Sequence, residues 1–298
     1  MTLQDLRYLV ALVDHGHFGR AAAACSISQP TLSMQIKKLE EQLGVTLFER
    51  TNRSVRVTPV AEEIVGRARQ ILTDVEAIIS VGRSVSGPLV GAFSLGVIPT
   101  LGPYLLPWLV PALKKDYPEL LLAVREDLTA HLMERLVSYR LDAALVALPV
   151  SDDRVASLPL FDEPFWFAEP KGHQPANAKV MREEDLRGRR LLLLTEGHCL
   201  RDQALAICGT TDRDADGDFR ATSLETIRQM VAMGMGSTLL PAMACSAAHT
   251  QAITAHPLEA GIGRRVGLIW RRSYPRVRDL HLLAQTLRDH LPQSVNLV

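Results

Sequence analysis

The stretch from Thr195 to Gly209 carries the residue types most able to do chemistry. It holds Cys199 and Cys208, nine positions apart in a chain of 298 residues with four cysteines. His198 precedes Cys199 and Arg201 follows it, so two potential cations lie beside one thiol. Cationic neighbours lower a thiol pKa, and the thiolate is the form that attacks peroxides and disulfides. Residues 200–207 read as a short helix, with Leu200, Leu205 and Ile207 apolar and Arg201, Asp202 and Gln203 polar. If the helix runs through both cysteines, a rise of about 1.5 Å per residue sets them roughly 13 Å apart. A disulfide spans at most about 7 Å between Cα atoms. Joining Cys199 to Cys208 therefore requires the helix to unravel, which couples a local covalent event to a change of backbone state. A plainer reading stands beside this one. Cys208, behind Ala-Leu-Ala-Ile, also looks like a small buried hydrophobe, and the interval matches no metal site or thioredoxin motif.

The elements that must position this stretch belong to a chain long enough for two or three domains. It is 47% hydrophobic and 22% charged, the composition of a soluble globular protein. The N-terminus lacks the basic and apolar regions of a signal peptide. The most apolar run, 101–113, is broken by Gly102, Pro103, Pro107 and Pro111, so no membrane span and no membrane partner are expected. The expected compartment is the cytoplasm, where a disulfide is transient and regulatory. Basic and acidic residues balance at 33 each. Residues 1–58 carry a net charge of +2, from seven basic and five acidic residues, an asymmetry that permits DNA binding without requiring it.

Leu3, Leu6, Val10 and Val13 mark one face of a helix that stops at Gly16. An alanine-rich helix follows from Phe18 to Cys25, then a turn at Ser26-Ile27. A third helix starts at Ser28-Gln29-Pro30, where serine caps and proline is tolerated. This order is that of a helix-turn-helix. Leu32, Ile36, Leu39 and Leu43 face inward, whereas Pro30, Thr31, Met34, Lys37 and Lys38 face outward, where base edges and phosphates are met. Two small strands, 47–50 and 55–57, would flank a basic wing at Thr51-Asn52-Arg53-Ser54. A plain three-helix bundle with a solvated charged face fits the same periodicity.

A resemblance decides between them. Phe18-Gly-Arg-Ala-Ala through Ser28-Gln29-Pro30-Thr31-Leu32-Ser33, then Ile36-Lys37-Lys38-Leu39-Glu40-Glu41, Leu43-Gly44, Leu47-Phe48-Glu49-Arg50 and Thr58-Pro59 closely resemble the LysR-type transcriptional regulators. The resemblance implies a winged helix-turn-helix over 1–58. It places Gln29, Pro30, Thr31, Ser33, Lys37 and Lys38 near DNA, and Arg50 and Arg53 on backbone or minor groove. Many members carry a basic residue where this chain has Met34.

After Thr58-Pro59 a linker helix is expected over 59–87. Ala61, Ile64, Ala68, Ile71, Val75 and Ile78 form a heptad-like seam. Packing onto the chain's own C-terminal domain would cover it, but a symmetric dimer is favoured, with Ile64, Ala68, Ile71, Val75 and Ile78 expected to pair two copies. The helix should break at Ser84–Pro88. From Ala92 strand and helix alternate: strands 92–98, 120–124 and 142–147 with helices 104–115 and 130–139. Strands follow near 163–168, 190–194, 218–221, 236–239 and 265–270, with helices near 201–207, 224–233 and 277–290. The class is α/β, and repeated βα units imply a parallel sheet with helices on both faces. The strands are too many for one small sheet, so two lobes are expected. The resemblance implies a periplasmic-binding-protein-like regulatory domain over 88–298, with lobe I at 88–162 and 265–298, lobe II at 163–264, and a ligand cleft between them. No nucleotide-binding glycine motif accompanies the strands, no histidine-cysteine cluster has metal spacing, and no cofactor is expected.

Gly197-His198-Cys199, Arg201-Asp202-Gln203 and Cys208 resemble the peroxide-sensing branch of the LysR family. That resemblance implies Cys199 as the thiol that meets hydrogen peroxide and Cys208 as the one that resolves it into a disulfide. It implies a pocket of Thr100, Thr129, His198, Arg201, Asp202, Gln203 and Arg264. Thr100 and Thr129 follow strands at the ends where α/β folds bind ligands, although Thr129 also suits a helix cap and Thr100 an ordinary loop hydroxyl. Alternation from Gly267 puts Arg265 with it and Arg264 on the opposite face, and the family pattern counted back from Gly267 selects Arg264. Cys25 and Cys245 read as buried bystanders. The expected protein is a regulator rather than an enzyme. Its expected partners are double-stranded promoter DNA, further copies of itself as dimer or tetramer, RNA polymerase and a cytosolic disulfide reductant. Two other readings stay open: a LysR-type regulator of a small organic effector in the cleft, and a thiol peroxidase.

Overall fold

The computed structural model describes residues 1–50, 55–83, 88–172, 180–186, 189, 191–209, 220–245 and 252–298. The expected wing loop with Arg53 and the helix break at 84–87 lie outside the described residues. The chain divides into two compact units, Met1–Gly87 and, apart from a short turn at 138–140, Pro88–Val298.

In the first unit, α1 (Leu3–His15) opens on a reciprocal cap: the Thr2 hydroxyl accepts the Asp5 amide (3.2 Å) and the Asp5 carboxylate accepts the Thr2 amide (2.7 Å). Such a box satisfies two of the donors that a helix start leaves open. Next come α2 (Phe18–Ala24) and α3 (Gln29–Leu43), joined through Ser26 in the left-handed region at φ 56°. Ala21 and Ala22 are buried, and their small side chains let α2 approach Leu9, Leu12, Leu32 and Ile36 closely. The antiparallel strands β1 (Phe48–Arg50) and β2 (Val55–Val57) follow. Glu40 Oε1 on α3 accepts the amides of Leu47 (2.8 Å) and Phe48 (3.1 Å), tying the base of this ribbon to the helix.

The long helix α4 (Pro59–Arg83) corrects the expected seam. Ala61, Val65 and Ala68 are buried against the core of the same unit, with Ile64 and Leu72 half-buried on it. Arg69, also buried, donates to Asp14 at the end of α1 (Nη1 to Oδ2, 3.3 Å). Ala68 is thus spent inside its own chain, because a helix that docks on α1 must turn one stripe inward. Of the expected pairing residues, Ile71 and Ile78 are exposed, Ile78 at 73%, and Val75 is half-buried; Ile79 joins them.

The second unit begins with β3 (Gly91–Val97), α5 (Gly102–Asp116), β4 (Leu120–Glu126), α6 (Thr129–Val137) and β5 (Ala143–Leu148). β4 and β5 pair in parallel with β3. Gly96 faces Leu132 of α6, while Val97, the next residue, faces Gly102 of α5. Successive strand residues point to opposite faces, so helices cover both faces of this sheet as expected.

The sheet is nevertheless not parallel throughout. β6 (Val155–Pro170) is one continuous strand of 16 residues where only 163–168 was expected. Pro159 and Pro164 hid its length, since proline argues against a central strand. Pro164 sits opposite Gly263, and Pro159 lies beside a bulge where the register skips Leu160. The remaining elements are β7 (Leu193–Leu194), α7 (Cys199–Cys208), β8 (Arg220–Ala221), α8 (Leu224–Ala232), β9 (Thr238–Pro241), β10 (Ile253–Pro257), β11 (Gly263–Arg271), α9 (Val277–Asp289) and β12 (Asn296–Leu297). β7 and β8 pair in parallel, whereas β9, β10, β11 and β12 all run antiparallel to β6. β10 and β12 were not expected from the sequence. β6 and β11 run without a break through 162–163 and 264–265, so the two parts of the unit share two strands.

Candidate functional site

Where the paired strands β6 and β11 pass from one part of the unit to the other, two acid–arginine pairs stand side by side. Arg264 is in register with Glu163, and Arg265 with Asp162. Alternation sends them to opposite faces. The Arg265–Asp162 pair is solvated, with Nε 2.7 Å from Oδ1. The Glu163 and Arg264 side chains are both 0% exposed. Arg264 Nε donates to Glu163 Oε2 (2.8 Å), Nη1 to Thr100 Oγ1 (2.7 Å) and Nη2 to the Thr100 carbonyl (3.0 Å). The other Glu163 oxygen accepts the amide of Met243 (3.0 Å). Gly263 packs on the Glu163 carbonyl so closely that any side chain there would collide with it. Sequence reasoning missed Glu163, because nothing local separates it from Asp162 beside it.

Helix α7 runs from Cys199 to Cys208 and closes on Gly209 in the left-handed region. Both cysteines are therefore helical and both thiols are free, roughly 13 Å apart by helical rise. His198 occupies the cap position without using its side chain, and the amides of Leu200 and Cys199 instead favour the Cys199 sulfur as acceptor. Burial pushes the Cys199 thiol up, the Arg264 charge and those amides pull it down, Asp202 opposes them, and the balance is upward.

This overturns the expectation drawn from neighbouring residues. His198 is buried and its imidazole is shifted down by that burial, toward the neutral form. Arg201, also buried, turns away and donates to the Leu194 carbonyl (3.2 Å). Two residues along a helix is about 200° of rotation, so a residue two after Cys199 points to the other side. Asp202 is exposed. The cation that favours the thiolate comes from β11, 65 residues away in the chain.

Gln203 lies one helical turn beyond Cys199, on the same face, and its Oε1 is buried with no hydrogen-bond partner among the described residues. Gly197, at φ 90°, approaches Leu128 so closely that a Cβ would stand 2.9 Å from Leu128 Cδ1. That contact brings the loop before α7 to the start of α6, where Thr129 is half-buried. The cap reading of Thr129 fails: the Leu128 carbonyl accepts the first helical bond, from Leu132, and Thr129 is already inside α6. The opposite end of α7 is different. Cys208 is 1% exposed, and burial with the nearby Glu183 pushes its thiol up to about 11. Cys25 and Cys245 are half-buried rather than fully buried; burial raises both, Cys245 to about 12. No cluster suited to a metal ion exists among the described residues, and no described helix is long and apolar enough to cross a membrane.

On α3, Gln29, Pro30, Lys37 and Lys38 are exposed and Thr31 and Ser33 half-buried, with Met34 62% exposed among them. Ser28 accepts the Thr31 amide (3.3 Å) and shares a hydrogen bond with its hydroxyl (2.7 Å), while Lys37 lies 3.8 Å from Glu41. Arg50 closes β1 opposite Val55. Residues 3–62 match the bacterial regulatory helix-turn-helix model of the lysR family, and residues 86–292 the LysR substrate binding domain.

The chain belongs to the LysR family. It is 42% identical over 297 residues to the DNA-binding transcriptional dual regulator OxyR of Escherichia coli (strain K12), covering 98% of this chain and 96% of that protein. Identity is also 42% over 297 residues to the hydrogen peroxide-inducible genes activator of Pectobacterium carotovorum subsp. carotovorum, covering 98% and 97%. Among solved structures, full-length OxyR C199D from Pseudomonas aeruginosa matches with a TM-score of 0.84 at 39% identity, over 100% of this chain and 98% of that one. A hydrogen peroxide-bound cysteine variant of OxyR from Corynebacterium glutamicum matches at 0.67 and 34% identity, over 97% and 92%. The chain is a DNA-binding LysR-type transcription regulator closely related to OxyR. Within this LysR-type chain, Arg264 holds Thr100 and its charge acts on Cys199, as does that of Asp202, while Arg201 donates to the Leu194 carbonyl.

Proposed function

We propose that this regulator senses hydrogen peroxide through a reversible Cys199–Cys208 disulfide. The reading is supported by two polar atoms, one on Gln203, a helical turn from Cys199, and one on Thr100, which is bound to the Arg264 whose charge acts on Cys199. Thr100 Oγ1 already accepts from Arg264, so its own hydrogen is left to donate. Gln203 Oε1 is a buried acceptor with no donor among the described residues, open to one that a bound molecule supplies. A molecule with one donor and one acceptor oxygen in contact, such as hydrogen peroxide, answers both. Thr129 and His198 line its approach.

The Cys199 sulfur attacks the nearer peroxide oxygen. The S–O bond forms as O–O breaks, the electron pair leaves with the far oxygen, and the thiol proton joins it to give water. Arg264 stabilises the thiolate as it develops. Cys199 is now a sulfenic acid. The Cys208 sulfur attacks the Cys199 sulfur, hydroxide leaves and takes the Cys208 proton as a second water, and a disulfide remains. Its span of at most about 7 Å cannot coexist with α7, so the helix refolds and the arrangement of DNA-binding units changes. A cytosolic dithiol reductant reverses the bond. The complete sensor is a dimer or tetramer on promoter DNA, paired through the exposed apolar residues of α4 and acting on RNA polymerase. It works in the cytoplasm and turns over peroxide only to switch, not as an enzyme. Lys37 and Lys38 meet phosphates, and Arg50 and Arg53 the backbone or minor groove.

The test is promoter footprinting with reduced and peroxide-treated protein. Peroxide should alter the footprint of the wild type and leave that of Cys199→Ser unchanged. A footprint indifferent to peroxide but altered by an organic compound in Cys199→Ser would sink the reading. Lys38→Ala should weaken binding uniformly across sequences and reduce the salt slope by about 1.

A further inference from the structure

Arg264 favours the Cys199 thiolate by charge, yet every hydrogen bond described for its guanidinium goes elsewhere: one to Glu163 and two to Thr100. Glu163 also stands 2.7 Å from Nη2, and its second oxygen is held by the Met243 amide, so the carboxylate cannot swing away from the arginine. A cation this close to a buried anion projects little net charge onto a third group. We propose that Glu163 is a positioning residue that pins the Arg264 guanidinium to itself and to Thr100, and so restrains the help Arg264 gives to the Cys199 thiolate. It sets the threshold at which the thiol reacts. This deepens the peroxide-sensing reading and rests on it.

Other charged groups lie around the pair, but Glu163 is the acid in contact with the Arg264 guanidinium. Asp202, on the same helix as Cys199, works against its thiolate. Tyr104 of α5 feels Arg264 together with Glu225 and Arg228 of α8, and Cys245, after β9, feels both Glu163 and Arg228. Among the groups facing Cys199 itself, Arg264 is the cation that acts on the sulfur. The balance on the thiol is upward because burial outweighs the pull of Arg264.

The experiment is the pH dependence of alkylation of the full chain by iodoacetamide, read on the Cys199 peptide by mass spectrometry. Glu163→Gln keeps the shape and removes the charge. Its midpoint should fall by about one unit, which is about tenfold more thiolate at neutral pH. A residue that only supports the fold would lower the melting temperature without lowering this midpoint. If the glutamine variant does not fold, Glu163→Asp, which draws the carboxylate back by one methylene, should shift the midpoint the same way by less. An unchanged or raised midpoint in the folded variant overturns the proposal. Iodoacetamide needs no peroxide chemistry. A lowered midpoint in a protein that forms no disulfide with peroxide would leave the restraint standing while the sensing reading fails.

Discussion

Arg264 and Arg265 are neighbours on one strand, each opposite an acid one residue apart on the facing strand, and each pair closes at 2.7 Å. The side chains of the first pair are 0% exposed and those of the second 49% and 43%. One residue of alternation separates them. Buried, the guanidinium holds Thr100 by side chain and backbone and acts on a thiol carried by another element. Solvated, the same group is one more surface ion pair, of the kind that contributes little to stability. Identical chemistry at adjacent positions is a site or a decoration according to which face of the sheet it meets.

The comparison can be broken most sharply at Arg264. Arg264→Leu leaves the Glu163 carboxylate buried and unpaired, a loss of about 3–5 kcal/mol, and should also raise the pH midpoint of Cys199 alkylation. Urea unfolding with intact m-value measures the first. Thr100→Val comes next: it strips one acceptor from Arg264 and should cost about 1–3 kcal/mol while slowing oxidation of Cys199 by peroxide. The exposed pair should give the smallest effects. Arg265→Met should leave stability at neutral pH within the scatter of surface substitutions. If it destabilises as much as Arg264→Leu, the contrast between the two faces is wrong. The Arg265 hydrogen bonds hold the Asp162 carboxyl below its ordinary value of 3.8. A carboxyl lowered in the folded state contributes stability that is complete above its unfolded value and fades as pH falls below it. Asp162→Asn should therefore lower stability slightly near neutrality and leave it unchanged well below pH 4, flattening the acid side of the curve, as melting temperatures across pH would reveal.

His198 offers a second pH test. Its folded pKa is lowered by burial, so the unfolded state binds the proton more readily. Stability should fall as pH drops through 6.5, and His198→Asn should remove part of that fall.

The two cysteines at the ends of one helix, the capped start of α3 and the inward stripe Leu32, Ile36 and Leu39 were legible because each rests on local spacing. The roles of His198 and Arg201 were not, because closeness in sequence says nothing about which side of a helix a charge leaves from. Strand alternation separated Arg264 from Arg265 without saying which faces in; the family pattern selected Arg264, and Arg264 is the buried one. Glu163 gave no signal: its meaning comes from a register set by a strand whose prolines concealed it. The seam of α4 was half-legible. Its period was right, but periodicity cannot say that Ala61 and Ala68 face their own domain while Ile71 and Ile78 face out.

The measurement that bears most directly on the account treats reduced protein with near-stoichiometric hydrogen peroxide, blocks remaining thiols and maps disulfides by mass spectrometry. The account expects a rapid Cys199–Cys208 bond, absent in Cys199→Ser and replaced by a Cys199 sulfenic acid in Cys208→Ser. Two free thiols after treatment of the wild type would contradict it and move the search to a small organic effector held by Thr100, Gln203 and Arg264.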